Sequence, residues 1–223
     1  MARHEHSADP PSGEPAPSKE AEPRVYVIDD DRDICKSLEF LLGTSGIAVQ
    51  AFDGGAAFLE QLGRLAPGPI LLDVRMPGID GMHLLPILKD RAMGWPVIMM
   101  TAFGEIAVAV RAMQLGAIDF LEKPINPDVL ERLLDKAFTL AAASTAEQQC
   151  RNNARVQIKK LSQREREVLQ ILMEGAVNKV AAHQLGLSAR TVEMHRANAL
   201  AKLELRSIAQ VVKLFQAADL LSP

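Results

Sequence analysis

The stretch RVYVIDDDRD, residues 24–33, runs an apolar segment straight into four carboxylates, of which Asp29, Asp30 and Asp31 are consecutive. Like charge at the end of a buried strand is opposed by repulsion and by desolvation. Hard oxygen ligands gathered in this way suit Mg²⁺ with several retained waters, so the run is tolerable where a divalent ion supplies the missing charge. Polar residues end later apolar runs in the same manner: Asp73 closes PILLD, Thr101 closes PVIMMT, and Lys123-Pro124 follows IDFL. Three carboxylates, a hydroxyl and an ammonium on one rim suggest phosphoryl transfer, in which a metal and a cation neutralise phosphate oxygens. Aspartate is an established covalent acceptor of phosphoryl groups. Asp73 is the best nucleophile, because it leads DVRMPGIDG, a turn-rich loop whose backbone reaches the metal. An acidic strand end also serves as cap and dipole partner for a following helix, and Asp31 or Asp33 suits that role.

The elements that must bring these residues together alternate between strand and helix. Predicted strands are 24–29, 47–51, 69–73, 96–101 and 118–121; amphipathic segments over 32–43, 55–64, 82–91, 104–115 and 127–141 separate or follow them. That alternation predicts an α/β fold, a doubly wound five-stranded parallel sheet flanked by helices. Ligand sites in such sheets form beyond the carboxyl ends of the strands, at the switch in strand order. Pro86 falls inside the third predicted helix and should kink it or delay its start.

Residues 139–160 lack Gly and Pro and favour helix, so the last of these helices is expected to continue as a partly helical linker. Short helices follow at 163–174, 177–185, 189–204 and 208–218, forming a small all-α, four-helix domain. Ser162 with Glu165 predicts a capping box, and Ser207 with Gln210 a second one. Ser188 suits the cap of the third helix, while Gly175 and Gly186 stand where helix ends need a left-handed residue.

The expected layout is a disordered tail over 1–23, an α/β domain over 24–140, a helical linker over 141–160 and a helical domain over 161–223. The tail holds five prolines and little to bury; its His4 and His6 suggest no metal site by themselves. The net charge of -3 hides an asymmetry: residues 1–150 hold 13 Lys and Arg against 22 Asp and Glu, whereas residues 151–223 hold 12 against 6. The basic part is a candidate for a polyanionic partner. No apolar run approaches the roughly 18 residues of a membrane span, and the polar N-terminus does not read as a signal peptide. Cys35 and Cys150 lie far apart without CxxC spacing, as expected of a reduced, cytoplasmic chain.

The segments VIDDD, LLDVRMPGIDG, MTAFGE and GAIDFLEKP resemble, in order and spacing, the signature segments of two-component receiver domains over about residues 24–141. The resemblance implies that Asp73 takes a phosphoryl group from a sensor histidine kinase. It also implies Mg²⁺ ligation by Asp30, Asp73 and the Arg75 carbonyl, with Asp29 ordering a metal-bound water. Thr101 and Lys123 would bind the phosphoryl oxygens. Phe120 matches the aromatic that turns inward when Thr101 is drawn to the phosphate, although a core strand position would also explain it. A cis Lys123-Pro124 bond is implied as well.

The helical part has a helix-turn-helix rhythm, with LGLS between its second and third helices. Val192, Ala199 and Leu203 form an apolar stripe on the third helix. Arg190, Glu193, Met194, Ala197 and Asn198 fall mainly on other faces, where a recognition helix meets the major groove. Arg190, Arg196 and Lys202 offer charge for phosphates. The scarcity of aromatics argues against single-stranded RNA. LSQREREVL, Asn178-Lys179 and RTVEMHRANALAKL resemble the LuxR-type DNA-binding domain over about residues 161–218, and the whole chain resembles FixJ-type members of the NarL/FixJ response regulators. By that resemblance residues 189–203, including Thr191, form the recognition helix and 177–185 the supporting one. Val180-Ala181 stand where the family often has a polar residue followed by isoleucine. Glu193 suits either a cytosine amino group or a surface ion pair, and His195 suits packing or a backbone contact.

The expected function is a phosphorylation switch that promotes a homodimer and its binding to double-stranded promoter DNA, with no catalytic role beyond the chain's own phosphorylation and dephosphorylation. The weighed alternatives are a phosphorylation-gated adaptor whose helical domain contacts protein, and regulation without phosphate. An aspartyl phosphatase of the haloacid-dehalogenase type would need a second Asp where Arg75 stands.

Overall fold

The computed structural model describes residues 23–91, 94–101 and 106–220. The expected tail therefore lies outside the described residues apart from Pro23, as do residues 104–105 of the fourth predicted helix. Five strands, β1 (Arg24–Ile28), β2 (Ala48–Phe52), β3 (Ile70–Asp73), β4 (Val97–Thr101) and β5 (Asp119–Glu122), pair in parallel in the order β2-β1-β3-β4-β5. The three inner strands are buried apart from Arg24, whereas the edge strands β2 and β5 are partly exposed. This is what a parallel sheet covered on both faces requires of short, continuously apolar segments.

The side chains divide with the two-residue period of a strand. Tyr26, Ile28, Ile70 and Leu72 pack on one face with Phe58 of α2 (Gly55–Gln61) and Leu84 and Leu88 of α3 (Gly81–Arg91). Val25, Val27, Leu71 and Ile98 pack on the other with Leu38 and Leu42 of α1 (Arg32–Thr44) and Leu130 and Leu134 of α5 (Pro127–Lys159). The helix α4 (Ile106–Leu115) adds Ala112 to the first face.

Two local expectations change. The second helix stops at Gln61 and tightens into a 3-10 turn over Leu62–Arg64. Pro86 does not delay α3, since the helix begins at Gly81 and continues past the proline. Leu84, Leu85 and Leu88 are all buried there, so packing of that face outweighs the missing hydrogen bond of the proline.

The fifth helix also differs from expectation. It runs unbroken for 33 residues, started by the Asn126 side chain, which accepts from the Asp128 and Val129 N–H groups. Its far end enters a second core, where Ala154 and Ile158 join residues of α6 (Gln163–Met173), α8 (Ala189–Leu203) and α9 (Ile208–Ala217). The helix α7 (Asn178–Leu185) contributes Ala181 and Ala182 to a smaller cluster with Val168, Leu172 and Val192.

Ser162 and Glu165 form the reciprocal capping box at the start of α6. The second expected box is only half made: Ser207 accepts from the Gln210 N–H, but the Gln210 side chain accepts from Arg206 instead. Gly175 and Gly186 take the left-handed conformation foreseen for them, while α8 ends on Glu204 at φ 57, a left-handed non-glycine. Both cysteines are free, Cys35 buried and Cys150 exposed. Among the described residues, no helix is long and apolar enough to cross a membrane.

Candidate functional site

The strand order reverses between β1 and β3, and the carboxylates lie just beyond that switch. Asp29 and Asp30 follow the last residue of β1, and Asp73 is the last residue of β3. Oxygens from Asp29, Asp30 and Asp73 all lie within 4.8 Å of one another. Asp29 and Asp73 are buried, whereas Asp30 is exposed. Asp31 lies outside this ring and caps α1, accepting from the Asp33 and Ile34 N–H groups.

Lys123 enters between the two buried carboxylates. Its Nζ lies 2.8 Å from Asp29 Oδ2 and 2.5 Å from Asp73 Oδ1. The remaining oxygens are held by backbone: Asp29 Oδ1 accepts from the Asp31 N–H at 2.9 Å, and Asp73 Oδ2 from the Arg75 N–H at 2.7 Å. Burial raises the Asp73 carboxyl above the ordinary carboxylate range, with Lys123 opposing the shift. Burial works against the Lys123 ammonium, but its hydrogen bonds to Asp29 and Asp73 outweigh that and raise it. One ammonium among three carboxylates leaves net negative charge on hard oxygen ligands, a donor set that suits Mg²⁺.

Thr101 ends β4, is buried, and accepts the Lys123 N–H on its carbonyl at 2.8 Å. The Lys123-Pro124 bond is cis. Phe120 is not a core residue, being 45% exposed on the edge strand β5. Gly81 was not legible as a site residue. A Cβ there would overlap the Asp73 carbonyl oxygen, and its N–H donates to Val74, so α3 starts directly against the end of β3. The Asp-Gly pair at 80–81 marks a turn in sequence, but not which backbone approaches it. Cys35 is buried with its Sγ 3.6 Å from the Asp29 carbonyl oxygen, and burial and then Asp29 push its thiol up to about 11, so it has little nucleophilic character.

In the helical part, Val192, Ala199 and Leu203 are buried as expected. Arg190, Glu193, Met194, Ala197, Asn198 and Lys202 are exposed, at the helical spacing that keeps them on one side of α8. Thr191, His195 and Arg196 are half-buried, and Arg196 Nε is buried without a hydrogen-bond partner. Asn178 and Lys179 begin α7. Next to them Val180 is exposed and Ala181 is buried. Lys202 departs from a plain phosphate contact, because its ammonium lies 2.8 Å from the buried Glu165 carboxylate.

Residues 25–135 match the response regulator receiver domain, and residues 159–215 match the bacterial regulatory proteins of the luxR family. The transcriptional regulatory protein FixJ of Bradyrhizobium diazoefficiens is 39% identical over 198 residues, which is 89% of this chain and 97% of the relative. FixJ of Azorhizobium caulinodans is 43% identical over 190 residues, 85% of this chain and 90% of that one. The chain belongs to the FixJ-like response regulators. Solved response regulators superpose on it along most of its length. StyR matches with a TM-score of 0.74 at 36% identity, covering 88% of this chain and 99% of that one. Full-length FixJ from B. japonicum matches with a TM-score of 0.54 at 38% identity, covering 90% and 98%. As a FixJ-like response regulator the chain is a transcription factor, with a receiver domain followed by a luxR-type DNA-binding domain. That second match disfavours the adaptor reading of the helical half.

Proposed function

We propose that Asp73 is the phosphoacceptor of this response regulator and that a sensor histidine kinase is the donor. The supporting observation is the buried Asp73 carboxylate, clasped by Lys123 and the Arg75 N–H beside Asp29 and Asp30. In the transfer, one Asp73 oxygen forms the new P–O bond as the P–N bond of a phosphohistidine breaks. Asp30, Asp73 and the Arg75 carbonyl would hold Mg²⁺, with Asp29 ordering one of its waters. When bound, the ion supplies positive charge against the phosphoryl oxygens. Lys123 leaves its ion pair with Asp73 to meet one phosphoryl oxygen, and the Thr101 hydroxyl meets another.

The movement of Thr101 gives Phe120 room to turn from solvent toward the sheet. Val110 and Met113 of α4 are, like Phe120, large apolar side chains left exposed, at 53% and 43%, which is unusual for such residues. This face of α4, β5 and α5 is the surface on which two phosphorylated copies pair. Pairing would place two α8 helices over neighbouring half-sites of duplex DNA, with Arg190, Glu193, Met194 and Ala197 toward the bases. Asn178, Lys179 and Arg196 would engage the backbone. Phosphorylation shifts a population between existing states rather than creating a new one.

Incubation with Mg²⁺ and acetyl phosphate, followed by intact-mass measurement and sedimentation, tests this. The wild-type chain should gain one phosphoryl group and shift toward dimer, whereas Asp73→Asn should do neither. An unchanged wild-type spectrum, or the same phosphoryl gain in Asp73→Asn, refutes the assignment.

A further inference from the structure

Lys202 stands in the last turn of α8 on the exposed stripe, where charge alone would count it as a phosphate ligand. Its ammonium, however, lies 2.8 Å from Glu165 Oε2. Glu165 is 4% exposed, and the same oxygen accepts the Ser162 N–H at 2.8 Å, closing the cap of α6. Burial alone would raise the Glu165 carboxyl, but Lys202 and Ser162 hold it below the ordinary carboxylate range. One buried oxygen thus joins the start of α6 to the end of α8. Removing either partner of such a pair leaves a charge uncompensated. The apolar contact between these helices runs through Val192, clustered with Val168 and Leu172, and through Ala199 and Leu203, clustered with Leu169; the ion pair is a polar contact at the C-terminal end of α8.

We propose that Glu165 is a positioning residue for DNA recognition: through Lys202 it fixes the tilt of α8, and Lys202 is the pin rather than a phosphate contact. This rests on α8 being the helix that enters the groove. The pin sits at one end of α8 and the base-facing residues 190–197 at the other, about 8–18 Å away at 1.5 Å per residue. A small rotation about the pin therefore displaces every base contact together while leaving the phosphate contacts of the other basic residues in number.

The test uses the full chain and two duplexes, one of random sequence and one enriched by the wild type from a random pool. Lys202→Met, Glu165→Gln and the double variant are compared with wild type. On random duplex, Lys202→Met should keep the wild-type slope of log affinity against log salt, whereas a lost phosphate contact would flatten it by about 0.9. Preference for the enriched sequence should fall about tenfold in each single variant, the scale of one lost base contact, and no further in the double. Thermal melting by circular dichroism accompanies each variant. Should Lys202→Met fail to fold with Glu165 left unpaired, Glu165→Gln and the double, which retain no buried charge at this position, decide the matter by the same preference. A flattened slope, a wild-type preference in the variants, or losses that add in the double overturns the pin. A wild-type chain that enriches no sequence and binds no duplex overturns the DNA reading itself, and the pin with it.

Discussion

Asp73, the proposed phosphoacceptor, is buried yet must ionise to take a phosphoryl group, and the pocket divides that conflict between Lys123 and the Arg75 N–H. The conflict has a thermodynamic signature. Burial holds the Asp73 carboxyl above its unfolded value, so between those two values the native state keeps a proton that the unfolded chain has lost. Stability therefore falls as pH rises through that window and stays lower above it. Asp73→Asn carries no such penalty. Without divalent ions it should melt higher than wild type at neutral pH, with the gap closing as pH falls into the ordinary carboxylate range; a gap of the opposite sign in calorimetry contradicts the shift. Asp29, Asp30, Asp73, Thr101 and Lys123 were legible individually, because a polar residue closing an apolar strand is a local pattern. Their pairings were not. Lys123 reaches Asp29 across 94 positions and Lys202 reaches Glu165 across 37, and no spacing rule links such residues.

The elements themselves follow local chemistry closely wherever packing and propensity agree. All five strands fall within a residue of their apolar runs, since these short segments are bounded by charge or turn residues. Disagreement appears where packing outweighs local preference. Pro86 sits inside α3 because Leu84, Leu85 and Leu88 hold that helix to the sheet. Gly81 is the reverse case, in which the backbone leaves no room for a side chain. Gly81→Ala would drive a methyl group into the Asp73 carbonyl oxygen. Overpacking of this kind costs about 1–3 kcal/mol and here also displaces Asp73. The variant should melt at a lower temperature and be phosphorylated more slowly by acetyl phosphate, as followed by intact mass over time. A wild-type rate would show that the start of α3 does not set the position of Asp73.

Across the whole molecule the two halves are joined by one helix rather than by a loose tether. Ala137 is the last buried residue of α5 in the first core and Ala154 the first in the second; none of the residues between them is buried. That stretch spans roughly 24 Å at 1.5 Å per residue. The lack of Gly and Pro made helix predictable there, but not its continuity, because an exposed helix of this length is marginal in isolation. What sustains it is anchorage at both ends. Toward the first half, Ser144 packs so tightly on Gly94 that a Cβ there would overlap it. Toward the second, Arg151 pairs with Asp219 and Arg155 donates to the Ala218 carbonyl at the end of α9. A continuous strut transmits rotation of one half to the other, which a flexible tether cannot do. Ala146→Pro, at an exposed position in the middle, should break the helix at a local cost of about 3 kcal/mol. Both cores should remain folded in far-UV and near-UV circular dichroism, and phosphorylation should still occur. The affinities of the phosphorylated and unphosphorylated chain for duplex DNA should then converge, because each half acts alone. If Ala146→Pro keeps the full wild-type response to phosphorylation, the signal does not travel along α5.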